Sequence, residues 1–383
     1  MSKVALIRCE DYDYNLVKAA VQKGIDLLGG VRAFAKPDEK ILLKPNWIMA
    51  VPPERCATTH PAVFKAVAEI FQTTGAILSY GDSPGMSSPQ NASVKTGFAA
   101  AAKELNIPLA DFNNGKEVFY EQAKQNKKFL FANAVFENDS LISLSKLKTH
   151  GFLKLTGAIK NQFGCIPGMA KGEYHLKLTN PADFARMLVD INLCLKPRFY
   201  VMDGIMAMEG NGPMNGKPKK MNLLLFSADP VALDATVCRI IGVDPKYSLT
   251  VNIGAESGLG VYAENEIELV GDPLASFAEP GFDVDRGQVR SIKSRRGAMK
   301  VINNLLVPKP HIIADKCVKC GVCVKACPVM PQAVNWRDGN KADPPTYQYD
   351  RCIRCYCCQE MCPEGAVIIK QPLFRGVFGK ARK

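Results

Sequence analysis

The sequence predicts an α/β protein with an open, mainly parallel β-sheet, followed by a small, cysteine-rich α+β module. In the first 285 of 383 residues, short apolar runs alternate with segments of helical periodicity, an arrangement typical of a parallel sheet covered by helices. The composition changes near residue 285 to a basic stretch. Nine of the 14 cysteines then lie between Cys317 and Cys362, which marks a second, compact unit.

Five apolar runs predict the strands of the sheet, and two segments that open on proline predict helices. Proline favours the first helical turn because its φ is already helical and its missing N–H has no partner there. The predicted strands cover residues 41–43, 76–78, 141–144, 199–202 and 223–226, and the predicted helices cover residues 61–71 and 230–241.

Polar loops rich in glycine or proline follow most of these strands, at residues 44–46, 81–85, 203–204 and 227–230. Ligands of open α/β sheets bind beyond the carboxyl ends of the strands, so we expect a site among these loops. The 81–85 loop, GDSPG, also fits the G-x-S-x-G pattern of a hydrolase nucleophile. Pro84 lacks the backbone N–H that an oxyanion hole needs after the serine, and we therefore interpret the loop as a turn.

The composition is that of a folded protein without a membrane span. Apolar residues make up 47% and charged residues 22% of the chain, which excludes wholesale disorder. Uncharged stretches reach only 12 residues, short of the roughly 18 that a membrane-spanning helix needs. The N-terminus lacks the apolar core and cleavage site of a secretory signal. We therefore expect a cytoplasmic protein with no integral membrane segment.

One cysteine pattern, C-x2-C-x2-C-x3-C-P, occurs twice, at residues 317–328 and 352–363. This is the bacterial ferredoxin pattern, in which the fourth cysteine of each run ligates the cluster of the other run. Disulfides are disfavoured without a secretion signal, and zinc ordinarily uses two C-x2-C pairs. The sequence therefore predicts two [4Fe-4S] clusters. The ligands of one are Cys317, Cys320, Cys323 and Cys362, and those of the other are Cys352, Cys355, Cys358 and Cys327.

The distribution of charge agrees with this interpretation. Residues 286–383 contain 19 Lys and Arg against 6 Asp and Glu, net +13, whereas residues 1–285 contain 30 against 31. Basic residues offset the negative charge of thiolate-ligated clusters. Because neither interleaved aromatic residues nor a recognisable nucleic-acid module accompanies the basic residues, we do not expect nucleic-acid binding.

These features divide the chain into four parts. Residues 1–285 form an α/β domain that binds a ligand or carries out catalysis, and residues 286–309 form a basic linker. Residues 310–371 form the two-cluster ferredoxin-like domain, and residues 372–383 a basic tail. A ninth cysteine, Cys357, falls outside the ligand register, and we interpret it as a bystander whose role stays open.

Residues 144–175 are the segment richest in chemically versatile side chains. Leu155, Ile159 and Phe163 recur at helical spacing and predict one buried helix that is closed by Gly164 and Pro167. Two of the four histidines flank this predicted helix. They are either core residues beside a solvated lysine or part of a pocket, and the glycines of the flanking backbone favour the pocket. The candidate catalytic residues are His150, Lys160 and His175, and the weaker candidates for cofactor binding are Lys148, Asn161, Asp203 and Glu209.

Several segments together resemble the family called domain of unknown function 362. They are LLKPN, YGDSPG, KLKTHGFLKLTGAIKNQFGCIPG, MDGIMAMEGNGP and SADPVALDA, followed by the paired cysteine runs. The resemblance covers roughly residues 1–370. It implies the two-part architecture but says little about activity.

A more distant resemblance concerns the spacing of His150, Lys160 and His175, which is similar to a pattern in the nickel-pincer lactate racemase family. There, one histidine is catalytic, a lysine holds the nucleotide-derived pincer covalently, and a later histidine ligates nickel. The resemblance implies these roles for the three residues in that order, and leaves open an additional cofactor in the α/β domain.

We hypothesise an oxygen-sensitive, ferredoxin-type oxidoreductase suited to anaerobic conditions. Electrons from a redox partner protein, such as a ferredoxin, a flavoprotein or a reductase, would pass through both clusters to a small molecule bound by the α/β domain. A histidine or lysine would supply protons. Two alternatives of other classes stay open: an electron carrier or docking subunit of a redox complex, and an isomerase-like enzyme with a metal-pincer or nucleotide-derived cofactor.

Overall fold

The computed structural model describes residues 1–168, 170–288 and 307–371. It contains a large mixed sheet and a small C-terminal module with short strands and helices. The strands are β1 (Ser2–Arg8), β2 (Lys40–Lys44), β3 (Ile77–Tyr80), β4 (Gly115–Phe119), β5 (Lys128–Ala132), β6 (Ser140–His150), β7 (Lys154–Leu155), β8 (Phe199–Glu209), β9 (Lys217–Ser227), β10 (Ile267–Gly271), β11 (Lys309–Ile312), β12 (Val334–Asn335), β13 (Thr346–Tyr347) and β14 (Val367–Lys370).

The helices lie mainly in the first part of the chain. They are α1 (Tyr14–Asp26), α2 (Pro61–Gln72), α3 (Pro89–Lys95), α4 (Phe98–Glu104), α5 (Gly157–Asn161), α6 (Ala170–Lys177), α7 (Pro181–Leu195), α8 (Pro230–Ile240), α9 (Leu249–Glu256), α10 (Val322–Lys325) and α11 (Cys357–Glu360). Among the described residues, no helix has the length and apolarity that crossing a bilayer requires.

The central sheet has the strand order β10-β1-β9-β8-β6-β2-β3, with β7 paired to β6. Strand β9 runs antiparallel to both of its neighbours, and the other neighbouring pairs along this order are parallel. The predicted α/β class with a mainly parallel sheet is therefore confirmed. Every predicted strand overlaps an observed one.

Helices cover both faces of the sheet, and alternate residues of each strand face opposite layers, as the two-residue period of a strand requires. In β1, Ala5 and Ile7 pack with α1, α2 and α4, whereas Val4 and Leu6 pack on the side of α7, α8 and α9. The two cores fix the strands from both sides, so the loops at the carboxyl edge are held on a rigid base.

The C-terminal module has an internal repeat in its backbone. Lys319 and Arg354 occupy the same position of the two cysteine runs and both have a left-handed φ, at 58° and 59°. Gly321 and Tyr356, the next matched pair, are also left-handed and each precedes a one-turn helix, α10 or α11. The two runs therefore have the same local fold, as the repeated pattern requires, and the predicted ferredoxin-like module is confirmed.

The predicted helix between Leu155 and Phe163 is wrong in its extent. Leu155 belongs to β7, where it pairs with Thr149, and helix α5 spans only Gly157–Asn161 before a 3₁₀ turn over Gln162–Cys165. The apolar spacing was correct about burial, since all three predicted side chains are buried. Residues four apart can both be buried in one helix, or when one lies in a strand and the other in the helix that follows a bend. The apolar spacing therefore did not distinguish a single helix from a strand followed by a helix.

The predicted linker (286–309) and tail (372–383) lie largely outside the described residues. Within the described part, Arg286 packs against the α/β domain. Its guanidinium donates to the carbonyl oxygens of Ile241, Pro280 and Phe282. The α/β domain therefore extends at least to this residue.

Candidate functional site

A cavity of about 140 Å³ lies between the carboxyl edge of the central sheet and the ferredoxin-like module. The loops after β2 and β3, the region from β6 to α5, and helix α6 line it from the α/β domain, and α11 lines it from the module. Both parts of the chain therefore line one cavity. The charged and imidazole side chains that line it are Asp82, Lys148, Lys160, Lys171, His175 and Glu360.

Helix α5 presents Lys160 and Asn161 to the cavity, and Asp234 of α8 holds the beginning of this helix. Its two carboxylate oxygens accept hydrogen bonds from the backbone N–H groups of Ala158 at 2.6 Å and Ile159 at 3.1 Å. Burial raises the pKa of Asp234 to about 7, although both donors oppose this. A side chain at Gly157, where φ is 59°, would collide with the carboxylate, so only glycine allows this approach.

Asn161 and the Lys44–Asp82 ion pair join the loops that form the floor of the cavity. Asn161 Nδ2 donates to Ser143 Oγ at 2.9 Å, and its Oδ1 accepts from Asn46 Nδ2 at 3.1 Å. Lys44 Nζ lies 2.8 Å from Asp82 Oδ1, and both side chains are almost fully buried. Asp82 also accepts the backbone N–H groups of Trp47 and Ser83. The ends of β2 and β3 are thus fixed to each other by charge.

Three lysines of the cavity make no ion pair with a carboxylate of the described residues. Lys148 Nζ donates to the carbonyl oxygen of Ala57, and Lys160 Nζ has no hydrogen bond to a described residue. Burial lowers the pKa of Lys148 well below its usual value, with a further contribution from Lys160, and burial also lowers the pKa of Lys160. The cavity therefore has a surplus of basic groups, of which Lys148 is fully buried and Lys160 and Lys171 are half-buried.

Lys171 and His175 lie on α6, four residues apart, and so share one face of that helix. Lys171 Nζ donates to Ser83 Oγ and to the Ser83 carbonyl oxygen, each at 2.8 Å. Burial lowers the pKa of Lys171 to about 7 and that of His175 to about 4. His175 stacks on Phe184 at 4.5 Å, and its Nδ1 has no hydrogen-bond partner among the described residues. At neutral pH this imidazole is uncharged.

Four residues of the module line the cavity: Cys357, Glu360 and Met361 from one segment, and Ala326. His150 supports this wall from behind, since its Nε2 lies 2.9 Å from Glu360 Oε1. Its Nδ1 accepts hydrogen bonds from the backbone N–H groups of residues 152 and 153, so the neutral imidazole carries its proton on Nε2. The 2.9 Å contact places α11 against β6, although the two atoms do not have hydrogen-bond geometry.

Further hydrogen bonds hold the module on the α/β domain. Gln359 Nε2 donates to the carbonyl oxygens of Asn211 and Gly212, at 3.0 and 3.1 Å. Asn215 Nδ2 donates to the carbonyl oxygen of Cys362 at 2.7 Å, and Arg55 donates to that of Pro363. The module is therefore docked through the second cysteine run, at the cavity.

The eight cysteines of the two runs line two further cavities inside the module. Each cavity is lined by three cysteines of one run and the fourth of the other. Donors point at the sulfurs: Tyr347 Oη donates to Cys358 Sγ at 3.3 Å, and the Ala333 N–H donates to Cys327 Sγ at 3.4 Å. This donor set fits thiolate-ligated iron. The first cavity contains Cys317, Cys320, Cys323 and Cys362, and the second contains Cys327, Cys352, Cys355 and Cys358.

Residues 41–239, about half of the chain, match the family described as Domain of unknown function (DUF362). The chain belongs to the DUF362 family. Residues 316–366 of this DUF362 protein match the 4Fe-4S dicluster domain, so the module binds 4Fe-4S clusters. The DUF362 domain itself indicates no specific activity.

A curated relative of this DUF362 protein is a thylakoid-associated protein from Synechocystis sp., 34% identical over 262 residues, which are 68% of this chain and 80% of the relative. Among solved structures, the lactate racemase apoprotein from Thermoanaerobacterium thermosaccharolyticum shares 12% identity at a TM-score of 0.40, over 61% of this chain and 55% of that one. A Thermotoga maritima protein shares 12% identity at a TM-score of 0.34, over 62% and 59%. Each match spans less than two thirds of the solved chain.

The structure brings four of the seven residues predicted for the α/β site to the cavity, namely Lys148, Asn161, Lys160 and His175. His150 does not line it but contacts its wall through Glu360. Neither Asp203 nor Glu209 lines it, so their predicted ligand contact is not observed.

The separation of these two carboxylates has a physical reason. Asp203 is fully buried and its oxygens accept from Lys146 Nζ and Tyr12 Oη, both at 2.8 Å. Glu209 Oε2 accepts the backbone N–H of Asp283 at 3.0 Å. Asp203 therefore stabilises the fold beneath the cavity, and Glu209 closes a loop beside it.

Sequence reasoning missed four residues of the cavity: Asp82, Lys171, Cys357 and Glu360. A signal existed for the first two, since Asp82 lies in a loop expected at the carboxyl edge and Lys171 lies within residues 144–175. No signal existed for Cys357 and Glu360, because their place depends on how the module docks.

Proposed function

We propose that this DUF362 protein is an iron–sulfur oxidoreductase that passes electrons through two [4Fe-4S] clusters to a small molecule bound in the cavity. The observation that carries the proposal is that this cavity is lined both by Lys160 and His175 and by Cys357 and Ala326 of the module. Cys357 precedes the predicted ligand Cys358, and Ala326 precedes Cys327. A reducible group in the cavity would thus lie next to the second cluster.

The clusters supply single electrons when they are bound. Each set contains two buried cysteines, but the first set also contains an exposed one, Cys320, and the second set contains none. Electrons from a redox partner protein therefore enter most readily at the first cluster and leave at the second, beside the cavity. The proposal includes a cytoplasmic location and sensitivity to oxygen.

Reduction of an organic group also consumes protons, and side chains of the cavity are suited to hold them. A general acid is most effective when its pKa lies near the working pH. Lys171, whose pKa burial lowers to about 7, can carry a transferable proton on Nζ at neutral pH. His175 is uncharged there and serves as a hydrogen-bonding group. His150 acts as a positioning residue, because it holds Glu360 in the wall.

The existence of the cavity favours this function over a pure electron carrier, which needs no cavity for a ligand. The isomerase-like alternative requires a covalently held cofactor, for which Lys160 is the candidate. The intact mass of the anaerobically purified protein distinguishes the proposed oxidoreductase from this alternative. A mass increment that disappears in Lys160→Met supports the isomerase-like alternative.

The test of the proposed function uses full-length, anaerobically purified protein with both clusters reduced by dithionite and excess reductant removed. Fractions of a small-molecule extract are added, and cluster reoxidation is followed by absorbance and electron paramagnetic resonance. We expect one fraction to reoxidise the wild type and Lys246→Met, an exposed control, but to reoxidise Lys160→Met at least about 10-fold more slowly.

Iron content and cluster spectra of Lys160→Met should equal those of the wild type, since this lysine is not near a ligand in sequence. Equal reoxidation rates for Lys160→Met and the wild type would refute the role of the cavity. Reoxidation by no fraction at all would favour the electron-carrier alternative.

A further inference from the structure

The charges of the cavity are unbalanced once the internal ion pairs are assigned. Asp82 is paired with Lys44 at 2.8 Å, and Glu360 is in contact with His150 at 2.9 Å. The remaining charged side chains of the lining are the three lysines without a carboxylate partner among the described residues, Lys148, Lys160 and Lys171. Lys44 balances the charge of Asp82, but His150 is an uncharged imidazole, so the Glu360 carboxylate remains as a counter-charge within the lining. Three lysines therefore face one uncompensated carboxylate, which leaves a surplus of two positive charges when all three lysines are protonated.

A lysine cluster of this kind is unfavourable for the protein alone. An ammonium group that leaves water is destabilised unless an opposite charge compensates. Ammonium groups that converge on one space also repel one another, and the pKa values of all three lysines are lowered accordingly. A structural role would be served equally well by apolar side chains, which carry no such cost. The cluster therefore fits a counter-charge that the ligand supplies.

We propose that the ligand of this cavity is a compact anion with at least two negative charges, carried by carboxylate or phosphate groups. The inference rests on the proposed function and names its substrate class. The cavity volume of about 140 Å³ suits a small molecule, since an engineered cavity of about 150 Å³ holds one benzene. Carboxylate and phosphate oxygens also accept the charge-assisted hydrogen bonds that ammonium groups donate.

Proton uptake should accompany binding at pH 8. Lys171 is faced by Asp82 and Lys44 from the ends of β3 and β2, by Cys165 from the 3₁₀ turn and by Lys160 from α5. An anion placed among these groups favours the protonated lysine and raises its pKa from about 7. Calorimetry in two buffers of different ionisation enthalpy measures this uptake directly.

The experiment measures binding of inorganic phosphate and of malonate to the cluster-loaded full-length protein by anaerobic isothermal titration calorimetry. Malonamide, which is similar in size and neutral, is the matched control ligand. We expect one saturable site per chain for malonate or phosphate and none for malonamide, and the stronger of the two anions identifies the acidic group.

The variants assign that site to the cavity. Lys160→Met and Lys171→Met should each weaken anion binding about 10- to 100-fold, whereas the exposed control Lys246→Met should bind within a factor of about 3. Melting temperature and iron content are measured first. If one Met variant fails to fold, the comparison of the other Met variant with Lys246→Met still decides.

Absence of saturable binding for both anions, or equal binding by wild type and both Met variants, would overturn this inference. The outcome is distinguishable from failure of the proposed function. Reduction of a neutral compound without anion binding refutes the substrate class alone, and tight anion binding without any cluster reoxidation refutes the redox function alone.

Discussion

The substitution Asp82→Asn tests the ion pair on which the floor of the cavity depends. It removes one charge and almost no volume, and it leaves Lys44 buried with 0% of its side chain exposed and without a carboxylate at 2.8 Å. The new amide NH₂ replaces one of the two oxygens. It therefore faces either the backbone N–H of Trp47, which donated to Oδ2, or that of Ser83, which donated to Oδ1. Losing the counter-charge of Lys44 and losing a hydrogen-bond acceptor both destabilise the fold, so the two effects add.

Removing one partner of a buried ion pair costs about 3–5 kcal/mol, because the other charge stays uncompensated. One kcal/mol lowers the melting temperature of a 150–250-residue domain by about 2–4 °C, so we expect a fall of at least about 5 °C here. Lys44→Met combined with Asp82→Asn should recover part of the loss, because the buried charge is then gone.

The assay is anaerobic thermal unfolding followed by far-ultraviolet circular dichroism, with urea unfolding as a second measurement. Glu104→Gln is the control, since it breaks the Lys65–Glu104 pair, whose side chains are 25% and 59% exposed. Exposed pairs contribute about 0–1 kcal/mol. If Asp82→Asn lowers the melting temperature no more than Glu104→Gln does, the ion pair does not stabilise the floor.

Three other substitutions test the clusters and the packing. The wild type should contain about eight irons per chain. Cys362→Ala should damage the cluster of the first run, and electron paramagnetic resonance detects which cluster is lost. Damage confined to the cluster of its own run would contradict crossed ligation. Cys357→Ala should retain the wild-type iron content, because Cys357 lines the other cavity; a loss of about four irons would make it a ligand. Gly164→Ala should lower the melting temperature clearly, because its Cβ would lie 1.9 Å from Asp82 Oδ1. An unchanged melting temperature would show that the residues around Asp82 can move to accommodate a methyl group.

The sheet was predictable because its strands are buried on both faces, and such strands appear in the sequence as short continuous apolar runs. The antiparallel β9 was not predicted, since the direction of a strand leaves no trace in its own composition. The error at Leu155 has a similar origin: the bend between β7 and α5 depends on Asp234, which lies 79 residues further along the chain. Tertiary contacts of this kind decide local structure where the apolar pattern permits two solutions.

The cavity was predictable in part, for a related reason. Lys160, Asn161 and His175 lie in one segment of sequence, so their common location follows from local chain geometry. Glu360 lies 185 residues from His175, and its contribution arises only when the module docks. Asp203 shows the opposite error, because a carboxylate at the end of a strand suits a ligand site and an internal ion pair equally well. The complete burial of Asp203 beside Lys146 distinguishes the ion pair from a ligand site. Burial depends on the whole fold and cannot be read from the neighbouring sequence.

The internal repeat of the module explains why it docks through its second half. Helices α10 and α11 occupy matched positions, yet α10 has Val324 and Lys325 where α11 has Gln359 and Glu360. Gln359 and Glu360 make the contacts to residues 211–212 and to His150. A lysine in place of Glu360 would face His150 and the lysines of the cavity and be repelled. The charge difference between the two halves therefore selects the orientation that places the second cluster, not the first, at the cavity.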